Sequence, residues 1–216
     1  MNKYAVILLS GGIDSTACLY YARQRFNLSA LIFDYGQRHR KEIDAARSIA
    51  GRLHIPYRVV TLDLHWVTSA LTSKSMPVPK KRNLLAQGIP TTYVPGRNIL
   101  FLSYAVSFAD NFNYRDIFIG AHTQDYSGYP DCRGEFISAF EKAVNRGIKN
   151  RVTIHAPFLK MGKSEIIKIG LRLKVPFHLT WSCYEGGKTP CLTCDSCRYR
   201  IEGFRKLGME DPLLKK

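Results

Sequence analysis

The chain has 216 residues, 45% of them hydrophobic and 23% charged, with a formal net charge of +15. That length can bury a sizeable core and the balance excludes a disordered or low-complexity chain, while no apolar run reaches the roughly 20 residues that cross a bilayer. The N-terminus lacks the charged flank, long apolar core and cleavage site of a secretory signal, so a cytoplasmic protein with no membrane partner is expected, and its six cysteines do not read as a disulfide framework.

In chain order, Ala5 to Leu9 is a continuous apolar run of the kind found in a buried parallel strand, and a helical pattern runs from Thr16 to Phe26. Between them stands Ser10-Gly11-Gly12-Ile13-Asp14-Ser15. Two glycines let the backbone turn sharply, and the amides of the opening helix face whatever occupies the turn. The hydroxyls of Ser10 and Ser15 add donors, and Asp14 is suited to hold Mg²⁺ or to orient the turn. Read alone, the stretch is also compatible with a glycine turn capped by Ser15. A second strand follows at Ala30 to Phe33, ending in Asp34-Tyr35-Gly36-Gln37-Arg38-His39, then a helix with Ile43, Ala46, Ile49, Ala50 and Leu53 on one face, then a strand from Tyr57 to Leu62. The rhythm predicts a parallel, doubly wound α/β sheet.

From about Thr68 to Thr92 the periodicity fails, and a connection of that length is expected to be a mobile lid or an interaction arm. A helix is predicted from Asn98 to Phe112 with Asn98 as its N-cap, a fourth strand over Ile117 to Gly120, a helix over Glu135 to Val144, a fifth strand over Val152 to Ile154, a helix over Lys163 to Leu173 and a last one over Asp195 to Leu207. The predicted organisation is an α/β unit over 1–175 and a C-terminal zinc-binding segment over 176–216.

Cys183, Cys191, Cys194 and Cys197 have the spacing of a four-thiolate site. Such a shell leaves no open position, so a structural Zn²⁺ is favoured, with an iron–sulfur cluster as the competitor. Cys18 reads as a packed core residue. The segment after the fourth strand, from Gly120 to Arg133, offers Tyr126 and Tyr129 for stacking, Asp125 and Asp131 as acceptors, Ser127, and Arg133 as an anion fork. Cys132 lies in the same segment without a patterned histidine, which argues against a nucleophile. A surface turn is the plain alternative. Arg97 and Lys163 follow loops that can share the strand-end face and are candidate phosphate partners; His39, His122 and His155 also follow or end predicted strands. The basic excess would draw phosphates, on ATP or on nucleic acid, but its densest run, Lys80-Lys81-Arg82, is short, so nucleic acid is left open rather than indicated.

The early loop is not a Walker loop. Gly162-Lys163-Ser164 and Gly187-Lys188-Thr189 end like one, but Pro157 and Ser182 stand where the first glycine belongs. Ser10 to Ser15 resembles instead the loop of the PP-loop ATP pyrophosphatases, which cleave ATP between its α and β phosphates. With Asp34 to His39, Pro95 to Asn98, Phe101 to Ser103, Asp125 to Arg133, Lys163, Trp181 to Tyr184 and the cysteine trio, nearly the whole chain resembles the QueC family, the 7-cyano-7-deazaguanine synthases. One departure is Leu192, where the family usually has glycine.

The resemblance implies a Rossmann-like (adenine nucleotide alpha hydrolase-like) five-stranded parallel sheet with helices on both faces and a zinc-binding helical extension. It implies a carbon–nitrogen ligase that uses ATP, Mg²⁺ and structural Zn²⁺ to turn 7-carboxy-7-deazaguanine and ammonia into the nitrile through adenylates, in queuosine and archaeosine precursor biosynthesis, as a homodimer. On that basis Leu9, Ser10, Gly11, Gly12, Ile13, Asp14, Ser15, Thr16, Ala17, Cys18 and Leu19 are expected to bind ATP with Arg97. Asp14, Ser15 and Lys163 are expected to act in catalysis, and Asp125, Tyr126, Ser127, Asp131 and Arg133 to bind the deazaguanine. The alternatives are a relative that conjugates a deazaguanine to protein or nucleic acid, and a PP-loop tRNA-thiolating enzyme.

Overall fold

A computed structural model describes residues 3–81, 83, 88–122 and 129–215. Among them five strands form one all-parallel sheet: β1 (Tyr4–Leu8), β2 (Asn27–Asp34), β3 (Tyr57–Thr61), β4 (Asp116–Phe118) and β5 (Thr153–His155), in the spatial order β3-β2-β1-β4-β5. Six α-helices accompany them: α1 (Ile13–Ala22), α2 (Lys41–Arg52), α3 (Arg97–Phe112), α4 (Gly134–Val144), α5 (Lys163–Arg172) and α6 (Asp195–Arg205).

Because strand side chains alternate between faces, the near-continuous apolar runs of β1 and β2 supply two cores at once. Ala5, Ile7, Ala30 and Ile32 pack beneath α1, α2, α5 and α6, whereas Val6, Leu8, Leu31 and Phe33 pack beneath α3 and α4. The α2 stripe falls as its periodicity predicts, with Ile43, Ala46, Ile49 and Ala50 buried and Leu53 partly buried against them. Phe177 and Phe204 of the C-terminal part are buried in the same core as Ile7, so that part closes one face of the sheet.

In this strand order the chain winds one way from β1 through β2 to β3, then returns to the other side of β1 with β4. The crevice outside the carboxyl ends of β1 and β4 is the topological switch point, where open α/β sheets bind ligands. Gly120, just after β4, makes the crevice tight: a Cβ there would lie 2.7 Å from the amide nitrogen of Ser15 and 2.8 Å from the carbonyl carbon of Asp14. Only a glycine lets the end of β4 approach the first turn of α1 this closely.

Two expectations are corrected. Asn98 is not the N-cap of α3: Gly96, left-handed at φ +66°, takes that place, and Asn98 is buried within the first turn, its side-chain amide donating to the Asp131 carbonyl at 3.3 Å and to Cys132 Sγ at 3.2 Å. The 68–92 connection, where described, is strapped down rather than free. The Arg38 guanidinium donates to the carbonyls of Ala70, Ser73 and Met76 at 3.2, 3.1 and 2.6 Å, and Ser69, Ala70, Leu71 and Val78 are buried. One arginine thus satisfies three carbonyls that a loop of this length would otherwise leave to water. Residues 82 and 84–87 of the connection lie outside the described residues.

Candidate functional site

The loop after β1 is held in shape by its own hydroxyls. Gly11 is left-handed at φ +82°, and a methyl group on it would collide with the carbonyl oxygen of Glu42 and come within 2.7 Å of the Ala46 amide. Ser10 N–H donates to Ser15 Oγ at 3.1 Å, the two serine oxygens are 2.9 Å apart, and Gly12 N–H donates to Ser10 Oγ at 3.3 Å. Gly12 is the N-cap of α1, so the amides of Ile13, Asp14 and Ser15 are first-turn donors that the helix itself does not satisfy. From the other side, Trp181 N–H donates to the Gly11 carbonyl at 2.9 Å.

Three distant segments bring ionisable groups to this loop. Lys163, the first residue of α5, donates to both carboxylate oxygens of Asp14 at 2.7 Å, and His122, just past β4, lies 3.1 Å from the ammonium and 3.3 Å from Asp14. Burial by itself would raise the Asp14 carboxyl, but Lys163 and then His122 outweigh it and hold the acid well below its ordinary value. The carboxylate therefore stays ionised at neutral pH and pins the Lys163 amine beside the first turn of α1.

The same residues wall a cavity of about 280 Å³. Leu9, Ser10, Gly12, Ile13, Asp14 and Ser15 line it, with Arg97, His122 and Lys163. Gly11 turns its carbonyl to Trp181, and Thr16, Ala17, Cys18 and Leu19 are fully buried in α1 away from the cavity surface. The far wall is aromatic. Phe33 stacks on Phe101 with centroids 4.0 Å apart, Arg97 donates to Tyr35 Oη at 3.3 Å beneath them, and Tyr129 and Tyr184 complete the side. A flat heterocycle suits such a wall, and Arg97 supplies a fixed cation beside it.

Of the residues expected to meet a deazaguanine, Asp125, Tyr126 and Ser127 lie outside the described residues. Asp131 is buried and accepts the Asn98 N–H at 2.9 Å, so it supplies an acceptor for one of the open amides at the start of α3. Arg133 is the N-cap residue of α4, more than half exposed and 3.6 Å from Glu135. Neither is among the residues lining the cavity. Tyr35, Glu42, Tyr184 and Gly120 are site residues that sequence reasoning did not single out. Of these, Tyr35 and Tyr184 stood in matched blocks, but Glu42 carried no signal beyond a polar position on an amphipathic helix.

The four expected cysteines converge, with Sγ atoms all within 4.8 Å of one another. A tetrahedral Zn–S shell at about 2.3 Å needs sulfurs just under 4 Å apart, so the donor set and spacing fit a metal such as zinc. Two main-chain amides already point at the sulfurs: Cys191 N–H to Cys183 Sγ at 3.3 Å and Cys194 N–H to Cys191 Sγ at 3.4 Å. Such donors stabilise thiolates in ligand position. Leu192 occupies the tight turn between them at φ +61°. That left-handed conformation explains why glycine suits the position, and leucine holds it at a cost of about 1–2 kcal/mol.

Among the described residues no helix is long and apolar enough to cross a membrane. A solved NMN synthetase from Francisella tularensis shares the fold, with a TM-score of 0.52 at 15% identity, over 97% of this chain and 79% of that one. A 7-cyano-7-deazaguanine synthase from Clostridium kluyveri is 50% identical, over 98% of this chain and 97% of its own length. One from Thermoplasma volcanium is 42% identical, over 99% and 91%. The model of the family described as queuosine biosynthesis protein QueC matches residues 4–208. With a family model matched over 4–208 and relatives 50% and 42% identical over nearly its whole length, the chain belongs to the QueC family.

Proposed function

We propose that the chain is an ATP-dependent carbon–nitrogen ligase that converts 7-carboxy-7-deazaguanine and ammonia to 7-cyano-7-deazaguanine. The observation that carries this is the meeting, in one cavity, of a main-chain phosphate cradle, a stored lysine and an aromatic wall, in a chain whose relatives carry that activity in their names.

The chemistry follows from need. A carboxylate resists a nitrogen nucleophile, so one of its oxygens first attacks the α-phosphorus of ATP and pyrophosphate leaves. The first-turn amides of α1 and Ser10 and Ser15 hold the phosphates, and Lys163, released from Asp14, meets the charge on the transferring group. Ammonia then displaces AMP to give the amide. Adenylation of the amide oxygen turns that oxygen into part of a leaving group, and loss of AMP with a proton gives the nitrile. Arg97 and the Phe33–Phe101 stack position nucleotide and heterocycle. Mg²⁺, held by Asp14, would neutralise phosphate charge, and Zn²⁺ on Cys183, Cys191, Cys194 and Cys197 would fix the C-terminal segment. We infer a cytoplasmic homodimer, in keeping with the family expectation.

The test incubates purified protein with ATP, ammonium and 7-carboxy-7-deazaguanine and follows products by mass spectrometry, with metal analysis of the same sample. Amide, nitrile and AMP, together with about one zinc per chain, are expected. ADP in place of AMP, or turnover that requires tRNA, would refute the assignment, and iron with visible absorbance would refute zinc.

A further inference from the structure

Amide formation needs a proton acceptor, since a nitrogen that attacks a carbonyl must shed a proton. Among the described residues the carboxylates lining the cavity are Asp14 and Glu42. Asp14 is held well below the ordinary carboxyl value by Lys163 and His122, and in the proposed reaction it goes on to hold Mg²⁺, so it is a poor acceptor. Glu42 stands differently. It lies in the first turn of α2, which is packed so closely on the phosphate loop that a side chain on Gly11 would strike the Glu42 backbone. Glu42 lines the cavity, and among the described residues its carboxylate forms no hydrogen bond or ion pair, with the Arg97 charge near it.

We propose that Glu42 is the catalytic residue that accepts the proton from ammonia when the amide forms. The proposal rests on the synthase reading. In the step, the nitrogen lone pair forms the C–N bond, the bond from the carbonyl carbon to the AMP oxygen breaks, and AMP departs with that electron pair. One N–H proton passes to the Glu42 carboxylate, leaving a neutral amide, and Glu42 then releases the proton to water.

The surroundings suit the role. Burial raises the Glu42 carboxyl, and the Arg97 guanidinium pulls it down in part. The titratable groups that face it are Tyr35 just past β2, Arg97 from α3, and Cys183 and Tyr184 from the C-terminal segment. A carboxylate that burial makes more basic than a solvated one, placed on the cavity wall, is suited to take up a proton there.

The experiment separates the two halves of the reaction in Glu42→Gln, which preserves shape and removes basicity. Exchange of labelled pyrophosphate into ATP, driven by 7-carboxy-7-deazaguanine without ammonium, reports adenylation, and amide and nitrile formation with ammonium reports the nitrogen step. Exchange within about threefold of wild type, with amide formation lower by about 10²–10⁴-fold, is expected, with partial recovery in Glu42→Asp. Amide formation near the wild-type rate would overturn the proposal. So would a parallel fall in exchange, which would mean that Glu42 binds or supports rather than accepts the proton. Failure of the wild type to form AMP and nitrile would overturn the synthase reading itself, and the proposal with it.

Discussion

The close approach of β4 to α1 gives a sharp test of how the site is held. In Gly120→Ala the new methyl would sit 2.7, 2.8 and 2.9 Å from backbone atoms of Ser15 and Asp14, where ordinary contact begins at 3.4 Å. The clashing atoms belong to a helix turn, not to a flexible side-chain tip, so the end of β4 and the start of α1 must part by about 0.7 Å. Overpacking of this kind costs about 1–3 kcal/mol. The same displacement moves the Asp14 and Ser15 amides relative to Lys163 and His122, and a misplacement approaching 1 Å at a reacting centre costs about 10²-fold in rate. Urea unfolding of the variant should show the stability loss, and pyrophosphate exchange at saturating ATP should fall by about 30–100-fold. Wild-type exchange in a stably folded Gly120→Ala protein would refute the idea that this glycine sets the loop geometry.

Two other perturbations test the electrostatics. The Asp14 carboxyl is held below its ordinary 3.8 in the folded chain, so the unfolded chain binds more protons and the stabilisation from pairing is complete above that value and lost as pH falls toward the folded value. The excess stability of wild type over Asp14→Asn, read from urea midpoints, should be constant near neutrality and shrink below about pH 4; growth on acidification would contradict the pairing. Arg200 and Asp211 form a buried two-point ion pair at 2.6 and 2.8 Å, their side chains 3% and 2% exposed, and Arg200 also donates to Thr180 and to the Phe177 carbonyl. Asp211→Asn should therefore cost about 3–5 kcal/mol in urea unfolding because it leaves a buried charge uncompensated, and a loss below about 1 kcal/mol would show that water or another group takes over.

What was legible in the sequence was whatever is written contiguously. The tight turn after β1 has its two glycines and two hydroxyls within six residues, and the cysteine cluster has four sulfurs within fifteen, so both shapes could be read from spacing. The sheet could be read from the alternation of apolar runs with helical stripes, because a parallel strand buried on both faces has no polar side to disguise it. Aim was not legible. Asp131 has the right chemistry to receive a heterocycle, yet it turns to the Asn98 amide, and Asn98 looks like a cap but serves as a tie to Asp131 and Cys132. Glu42 and Arg200 resemble ordinary charges on amphipathic helices, since their partners or cavities are brought to them only by the fold. The 68–92 connection looked loose because its anchor, Arg38, lies more than thirty residues upstream.

Trp181 is a joint between two places that the chain otherwise keeps apart. Its amide holds the Gly11 carbonyl, and its indole N–H holds the carbonyl of Cys183, each at 2.9 Å. A shift at the cysteine cluster therefore has a route of two hydrogen bonds to the Gly11 turn through this one aromatic residue. Anyone redesigning the cysteine knuckle is also disturbing the support of the Gly11 turn, and a graft of either part onto another scaffold should carry this tryptophan along.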